Sequence, residues 1–447
     1  MSVPIALGML STFLFQVIDT YFVGQLGGEA LAALSFASTL YFLMIGMFIG
    51  LAVGVSILIG KAFGAQNQAL IRQTTLIALV LSLLVSLLLA GIGQISLIPL
   101  FRMLGAEKKI LTMILEYLDP LLLGMPLLTV ALVAGGALRA TGNVLRPEIL
   151  MAIAGVLNLL FDYLFIFGKM GFPEMGIKGA AWATVLSWIF VLVGMILLLQ
   201  HKKLIQFRWP KWGTWKKTAI QVFNLSAPTI VNQMIGPLTL MYLTFLLARE
   251  SAQAVAAFGI AGRIETLLMI GILGVSTALT PFIAQNVGAQ RKERVEEAIV
   301  FGGKASTYLG LAVALILFVS IRPLAALFTD DSTIITQTSQ YFYIVSLSYT
   351  LYGLFLVTSS IFNGLELPLE ALGISCAKSF LFTIPLTWTG SYWGVLGIFV
   401  ALSFSNLMSG VFAAWRMRKE LNRVNSNLLQ EPILASYWKD IKGMLNG

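Results

Sequence analysis

The stretch FQVIDTYFVG, residues 15–24, places Asp19 inside an otherwise uncharged run from Val3 to Leu26. Putting an aspartate at the centre of an apolar helix costs about 2.5–3.5 kcal/mol on insertion scales, so such residues normally face a cavity or a partner. A second acid stands in LNLLFDYLFIFG, 157–168, where Asn158 and Asp162 are four residues apart and share one helix face. A carboxylate beside an amide oxygen can coordinate Na⁺, or can be held through a cycle of protonation. Asp119, just before Pro120, is a weaker candidate that could cap a broken helix. Arg263 and Glu265 stand two apart and do not share a face, and Lys378 is an isolated cation in an apolar run. These three and Asp119 are candidates for secondary polar sites, with a structural ion pair of Glu265 with Arg263 or Lys378 as the plain alternative to a substrate contact.

The elements that must carry these residues follow from composition. The 447-residue chain is 58% hydrophobic and 11% charged, with mean hydropathy +0.89. Apolar runs of bilayer-spanning length recur throughout. They predict spans at 3–24, 31–60, 74–100, 111–135, 147–167 and 177–199, then at 224–248, 254–284, 299–321, 335–361, 367–387 and 394–415. The first run lacks the basic start and small-residue cleavage site of a signal peptide. With the N-terminus in the cytoplasm, nineteen of the 29 Lys and Arg fall in cytoplasmic loops or tail and seven outside, so the positive-inside rule puts both termini inside. The basic, tryptophan-rich loop 200–217 reads as a linker with interfacial anchors. In the tail, 424–447, Leu428, Leu429, Ile433, Leu434, Tyr437, Trp438 and Ile441 recur at helical spacing, which predicts an amphipathic surface helix.

A shift of 224 residues aligns the two halves without gaps from Pro4, which meets Pro228. GAQ at 64–66 meets GAQ at 288–290, and 13 of 63 positions are identical, against roughly five for sequences this biased. Each half holds six spans, an even number, so the copies share one orientation. The expected fold is an all-α integral membrane protein of twelve transmembrane helices, in two six-helix lobes related by a pseudo-two-fold along the membrane normal. The N-lobe is 1–199, the linker 200–223, the C-lobe 224–415 and the tail 416–447. The repeat is also an internal control: Asp19 meets Leu243, and the second copy has no acid opposite Asp162. Packing does not require these acids, which argues that function does. Arg263 and Glu265 meet Thr39 and Tyr41.

No GxxxxGK[ST] phosphate loop is present, so work must be driven by an ion gradient. No HExxH motif or nucleophile–base pairing suggests an enzyme. One cysteine, Cys376, and one histidine, His201, leave no intramolecular disulfide or His-rich metal site.

The segments P…DTYFVGQLGGEALAA, GKAFGAQN, GALRATGN…RP, NLLFDYLFIFG and GIKGAAWAT, with AAFGIAGRIETLL and PFIAQNVGAQ in the second half, resemble the multidrug and toxic compound extrusion (MATE) family, and its DinF-like branch in particular. The resemblance covers nearly the whole chain. It implies two lobes forming a V that export cationic or amphipathic organic compounds, as a secondary active antiporter using H⁺ or Na⁺ and no other cofactor. The family's N-lobe cation site falls on Asp19, Asn158, Asp162 and Thr184, and its first-helix bend on Pro4. Neutralising two carboxyls that cannot easily both ionise would let that helix bend and expel the substrate. Acids that other branches carry in the seventh and tenth spans are missing here, which shifts coupling to the N-lobe. The chain begins three residues before Pro4, so either the start is trimmed or the first helix enters the membrane at once. The resemblance also implies a monomer in the bacterial inner membrane, in contact with lipid and not with nucleic acid.

Competing readings are a lipid-linked precursor flippase of the same superfamily, a major-facilitator protein and a non-transporting scaffold. The flippase would carry a more basic cavity, the second would show a GxxxDRxGRR-like loop, and the last would not need acids in one lobe only. The charge count makes the topology testable. Tags after Gly447 and within 200–217 should both be labelled only from the cytoplasm, and periplasmic labelling of either would overturn the assignment.

Overall fold

Inside hydrocarbon every backbone N–H and C=O must be paired within the chain, so apolar runs of this length have to be helical. The computed structural model describes residues 1–103, 107–206 and 210–424, and it contains no strand among the described residues. The helices of the first half are α1 (Ser2–Gly24), α2 (Gly28–Gly64), α3 (Gln68–Met103), α4 (Lys108–Ala140), α5 (Leu145–Ile166) and α6 (Ile177–His201). The second half has α7 (Trp212–Ala248), α8 (Ala252–Gly288), α9 (Lys292–Ala326), α10 (Ser332–Val345), α11 (Tyr349–Gly364), α12 (Pro368–Cys376), α13 (Ile384–Gly390) and α14 (Gly394–Val424). Short 3₁₀ or π segments join α10 to α11 and α12 through α13 to α14.

Eleven helical stretches among the described residues are long and apolar enough to cross a membrane. The last of them, Pro368–Leu421, has 54 residues. At 1.5 Å per residue that is about 80 Å, against about 30 Å of hydrocarbon. It comprises two crossings, α12–α13 and α14, separated by the turn at Gly394 with φ +69°. The protein is therefore a multi-pass membrane protein with twelve helical crossings in two lobes.

The chain divides into compact units inside α7, between Ile230 and Val231. Helix α7 opens at Trp212, well before 224, because WGTWKKTAIQVF continues the helix into the stretch read as linker. The tail expected to be amphipathic lies outside the described residues from 425 onward. Each unit has its own apolar clusters: Ile114, Leu118 and Leu121 of α4 centre one in the first, and Tyr341, Phe342 and Phe399 lie in one of the second. The repeat is visible in the backbone. Gln66 and Gln290 both have φ 56°, and Gly142 (φ 81°) and Glu366 (φ 63°) occupy another pair of positions 224 apart. Left-handed backbone is uncommon outside glycine, so the two copies keep the same turns even where the residue has changed.

One expectation about proline changes. Helix α4 runs unbroken through Pro120, so Asp119 caps no broken helix. Pro4 lies within α1. Where α9 crosses the start of α11, a Cβ on Gly310 would meet the Thr350 Cα at 2.8 Å and the Tyr349 oxygen at 2.9 Å. Backbone cannot yield as a side chain does. Gly310→Ala should cost about 1–3 kcal/mol and lower the melting temperature, while Gly91→Ala, with nothing nearby, should not; equal melting temperatures would disprove the close approach.

Candidate functional site

A seam between α1 and α5 positions the two N-lobe acids. Phe15 and Asp19 stand four apart on α1, and Gly155, Asn158 and Asp162 follow at three- and four-residue steps on α5, so each set shares a face. A Cβ on Gly155 would overlap the Phe15 ring, and one on Gly8 would overlap the Glu148 carboxylate. Each glycine is thus a socket for the facing helix. Glu148 is itself anchored by Arg139, whose Nη1 donates to its Oε1 at 3.1 Å.

At the far end of this seam Asp19 and Asp162 come together. Asp162 is fully buried, and neither of its carboxyl oxygens has a donor; Asp19 Oδ1 is likewise buried without one. Two ionised carboxylates are acceptors only, so the pair can hydrogen-bond only while one of them carries a proton. Otherwise the site needs a cation, because buried charge without a partner is strongly unfavourable. One turn before Asp162, the Asn158 amide donates to Thr184 Oγ1 at 3.4 Å, and that hydroxyl donates to the Ala180 carbonyl at 3.0 Å. Using its N–H here leaves the Asn158 carbonyl oxygen as a further acceptor. The residues fit a proton, and they also supply the oxygen-only chemistry that Na⁺ requires. No cluster of three or more His, Cys, Asp or Glu able to hold a metal occurs among the described residues. Any cation would therefore depend on the amide and hydroxyl oxygens as well as the acids.

Tyr41 of α2 and Tyr117 of α4 lie within electrostatic range of Asp19, and Tyr117 is also within range of Asp162. Sequence reasoning missed both as site residues. A signal was present: the 224-residue shift carries Tyr41 onto Glu265 and Tyr117 onto Tyr341. In the structure Tyr341 donates to Glu265 Oε2 at 2.6 Å. The second lobe therefore keeps an acid and a tyrosine, with the acid transferred to α8.

The remaining candidates separate. Asp119 is half-buried on α4; its backbone oxygen accepts from Gln94 at 3.4 Å and its carboxyl lies within electrostatic range of Lys178. Arg263 is exposed and forms no ion pair among the described residues. Lys378, in the π segment Ala377–Thr383, lies within electrostatic range of Glu265. Its Nζ sits 4.8 Å from the Tyr352 ring centroid and 5.7 Å from that of Phe355.

The MatE family model matches the chain twice, at 4–164 and 228–389. The two matches begin 224 residues apart, the same offset as the repeat. A FAD transporter of Shewanella oneidensis is 33% identical over 417 residues, covering 92% of this chain and 91% of its own. The Probable multidrug resistance protein NorM of Thermotoga maritima is 29% identical, covering 78% of this chain and 75% of its own. Among solved structures, the Vibrio cholerae MATE transporter VcmN in the bent form aligns with TM-score 0.88 at 27% identity, covering 96% of each chain.

Asp19→Asn offers Asp162 a permanent amide donor where the second copy tolerates Leu243, so it should fold and insert normally. Any response of the melting temperature to Na⁺, or to pH over about 5 to 8, should be confined to protein with both carboxyls. A full response in Asp19→Asn would show that the cation binds elsewhere.

Proposed function

Because the chain belongs to the MATE family of membrane transporters, we propose that it is a secondary active exporter, which moves cationic or amphipathic organic compounds out of the cell in exchange for H⁺ or Na⁺. The observation that carries this reading is the buried Asp19–Asp162 pair, which has acceptors to spare and no donor. A proton or Na⁺ entering the pair cancels charge and lets α1 settle against α5; its departure restores the charge. Substrate and coupling ion then favour different states of the same lobe, which is what exchange requires. Asn158 and Thr184 serve as neutral oxygens beside the acids. The protein acts as a monomer in the bacterial inner membrane on this reading, and the charge distribution supports placing both termini in the cytoplasm.

A second substrate reading has its own support. The Shewanella relative is named for FAD, an anionic aromatic nucleotide, and the C-lobe here places a lysine against two aromatic rings. Flavin nucleotides therefore join the candidate substrates.

Efflux from proteoliposomes under an imposed proton or sodium gradient tests the proposal, with ethidium as the cationic probe. Export should follow one of the two gradients and vanish in Asp19→Asn. Ethidium affinity should fall at acidic pH or high Na⁺, because either ion neutralises the charge that attracts the probe, and Asp162→Asn should weaken that dependence. Normal gradient-driven export by Asp19→Asn would sink the coupling assignment.

A further inference from the structure

The second lobe contains a group that the N-lobe mechanism leaves idle. Lys378 is half-buried and held against the faces of Tyr352 and Phe355, whose rings stack at 12° with centroids 6.2 Å apart. Among the described residues its ammonium makes no hydrogen bond and no ion pair. Ring faces attract an ammonium electrostatically but accept few of its three N–H bonds. The nearby acid, Glu265, is engaged elsewhere, since its Oε2 accepts from Tyr341 at 2.6 Å. It compensates the lysine charge at longer range and does not use its donors.

Tyr349 is fully buried and its hydroxyl lies close to Glu265 and Tyr341, so it belongs to the surroundings of that acid. Its backbone is pinned by the Gly310 crossing. The lysine sits where the helix widens: Thr383 Oγ1 donates to the Lys378 carbonyl at 2.8 Å, five residues back along the chain. Single π turns of this kind are frequent at functional sites.

We infer that Lys378 and the Tyr352–Phe355 ring pair form a C-lobe binding site for planar aromatic compounds bearing a phosphate or carboxylate, with the anionic group on the Lys378 ammonium and the ring system on the aromatic faces. The inference deepens the second substrate reading of the proposed function and rests on it. The charge balance is favourable. Glu265 and Lys378 sum to zero when the site is empty, and an anion that binds Lys378 directly receives charge-assisted hydrogen bonds. A cation would meet the lysine's repulsion. The two lobes then divide the work, with cation exchange at the N-lobe acids and anion recognition in the second lobe.

The test is equilibrium binding to the full-length protein in nanodiscs without any gradient, so its result is independent of whether transport is coupled as proposed. Flavin mononucleotide and riboflavin serve as probes, being the same ring system with and without a phosphate. Lys378→Met should weaken flavin mononucleotide binding about ten-fold, the size expected for a lost charge-assisted contact, while riboflavin changes less than about three-fold. Lys378→Arg should retain most of the difference between the probes. Lys378→Met combined with Glu265→Gln should not restore flavin mononucleotide binding; restoration would show that the lysine acts only as counter-charge to Glu265, and would overturn the inference. On the unaltered protein, inorganic pyrophosphate should displace flavin mononucleotide and leave riboflavin in place, a measurement that stands even if the lysine variants fail to fold. Equal loss of both probes in Lys378→Met, or no loss of either, would also overturn it. Export without this discrimination would sink the site and leave the exporter reading intact; discrimination without export would do the reverse.

Discussion

Two carboxyl groups share a buried position without a donor between them, and the rest of the first lobe is organised around that shortage. Any protein can bury one acid by giving it a partner. Here Asp162 has no hydrogen-bond donor at either oxygen, Asp19 lacks one at Oδ1, and the nearest amide is turned to Thr184. Such an arrangement is unstable unless something small and positive completes it. Beside the acids, Gly8 and Gly155 make room for the Glu148 and Phe15 side chains of the facing helix without supplying a polar group of their own.

The second lobe solves the same problem differently. At the positions of Tyr41 and Tyr117 it has Glu265 and Tyr341, joined by a 2.6 Å hydrogen bond, with Lys378 in range. One acid, one phenol donor and one resident ammonium make a set whose charges cancel. Duplication gave two equal frameworks, visible in the matching left-handed turns at Gln66 and Gln290. Divergence then left one lobe with two acids and no donor between them, and the other with an acid, a phenol and an ammonium.

Much of this was legible in the sequence because lipid makes polar residues conspicuous. Asp19, Asn158 and Asp162 stood out against apolar neighbours, and the second copy has no acid at the positions matching Asp19 and Asp162. The family resemblance and the repeat together yielded twelve crossings in two lobes. What was not legible depended on contacts across helices. Tyr117 and Tyr349 look like ordinary span residues, since tyrosine is at home in membrane helices; only the placement of α4 and α11 brings them to the acids. The π segment at Lys378 leaves no mark in residue type, because it is a matter of hydrogen-bond register. Pro120 signalled a break that helix packing overrode, and the start of α7 at Trp212 was hidden because charged residues such as Lys216 and Lys217 read as linker while being ordinary helix formers.

The spans differ greatly in how much of their surface the protein covers. Buried residues make up 11% of the apolar window of α1, against 78% for α4. A helix gripped along its whole length moves only if many contacts break together, which sets a high activation barrier. With so little of its surface enclosed, tilting α1 would break few contacts within the chain, while α4 is held along most of its length. On the proposed exchange cycle, the moving part of the first lobe would then be separate from its rigid frame.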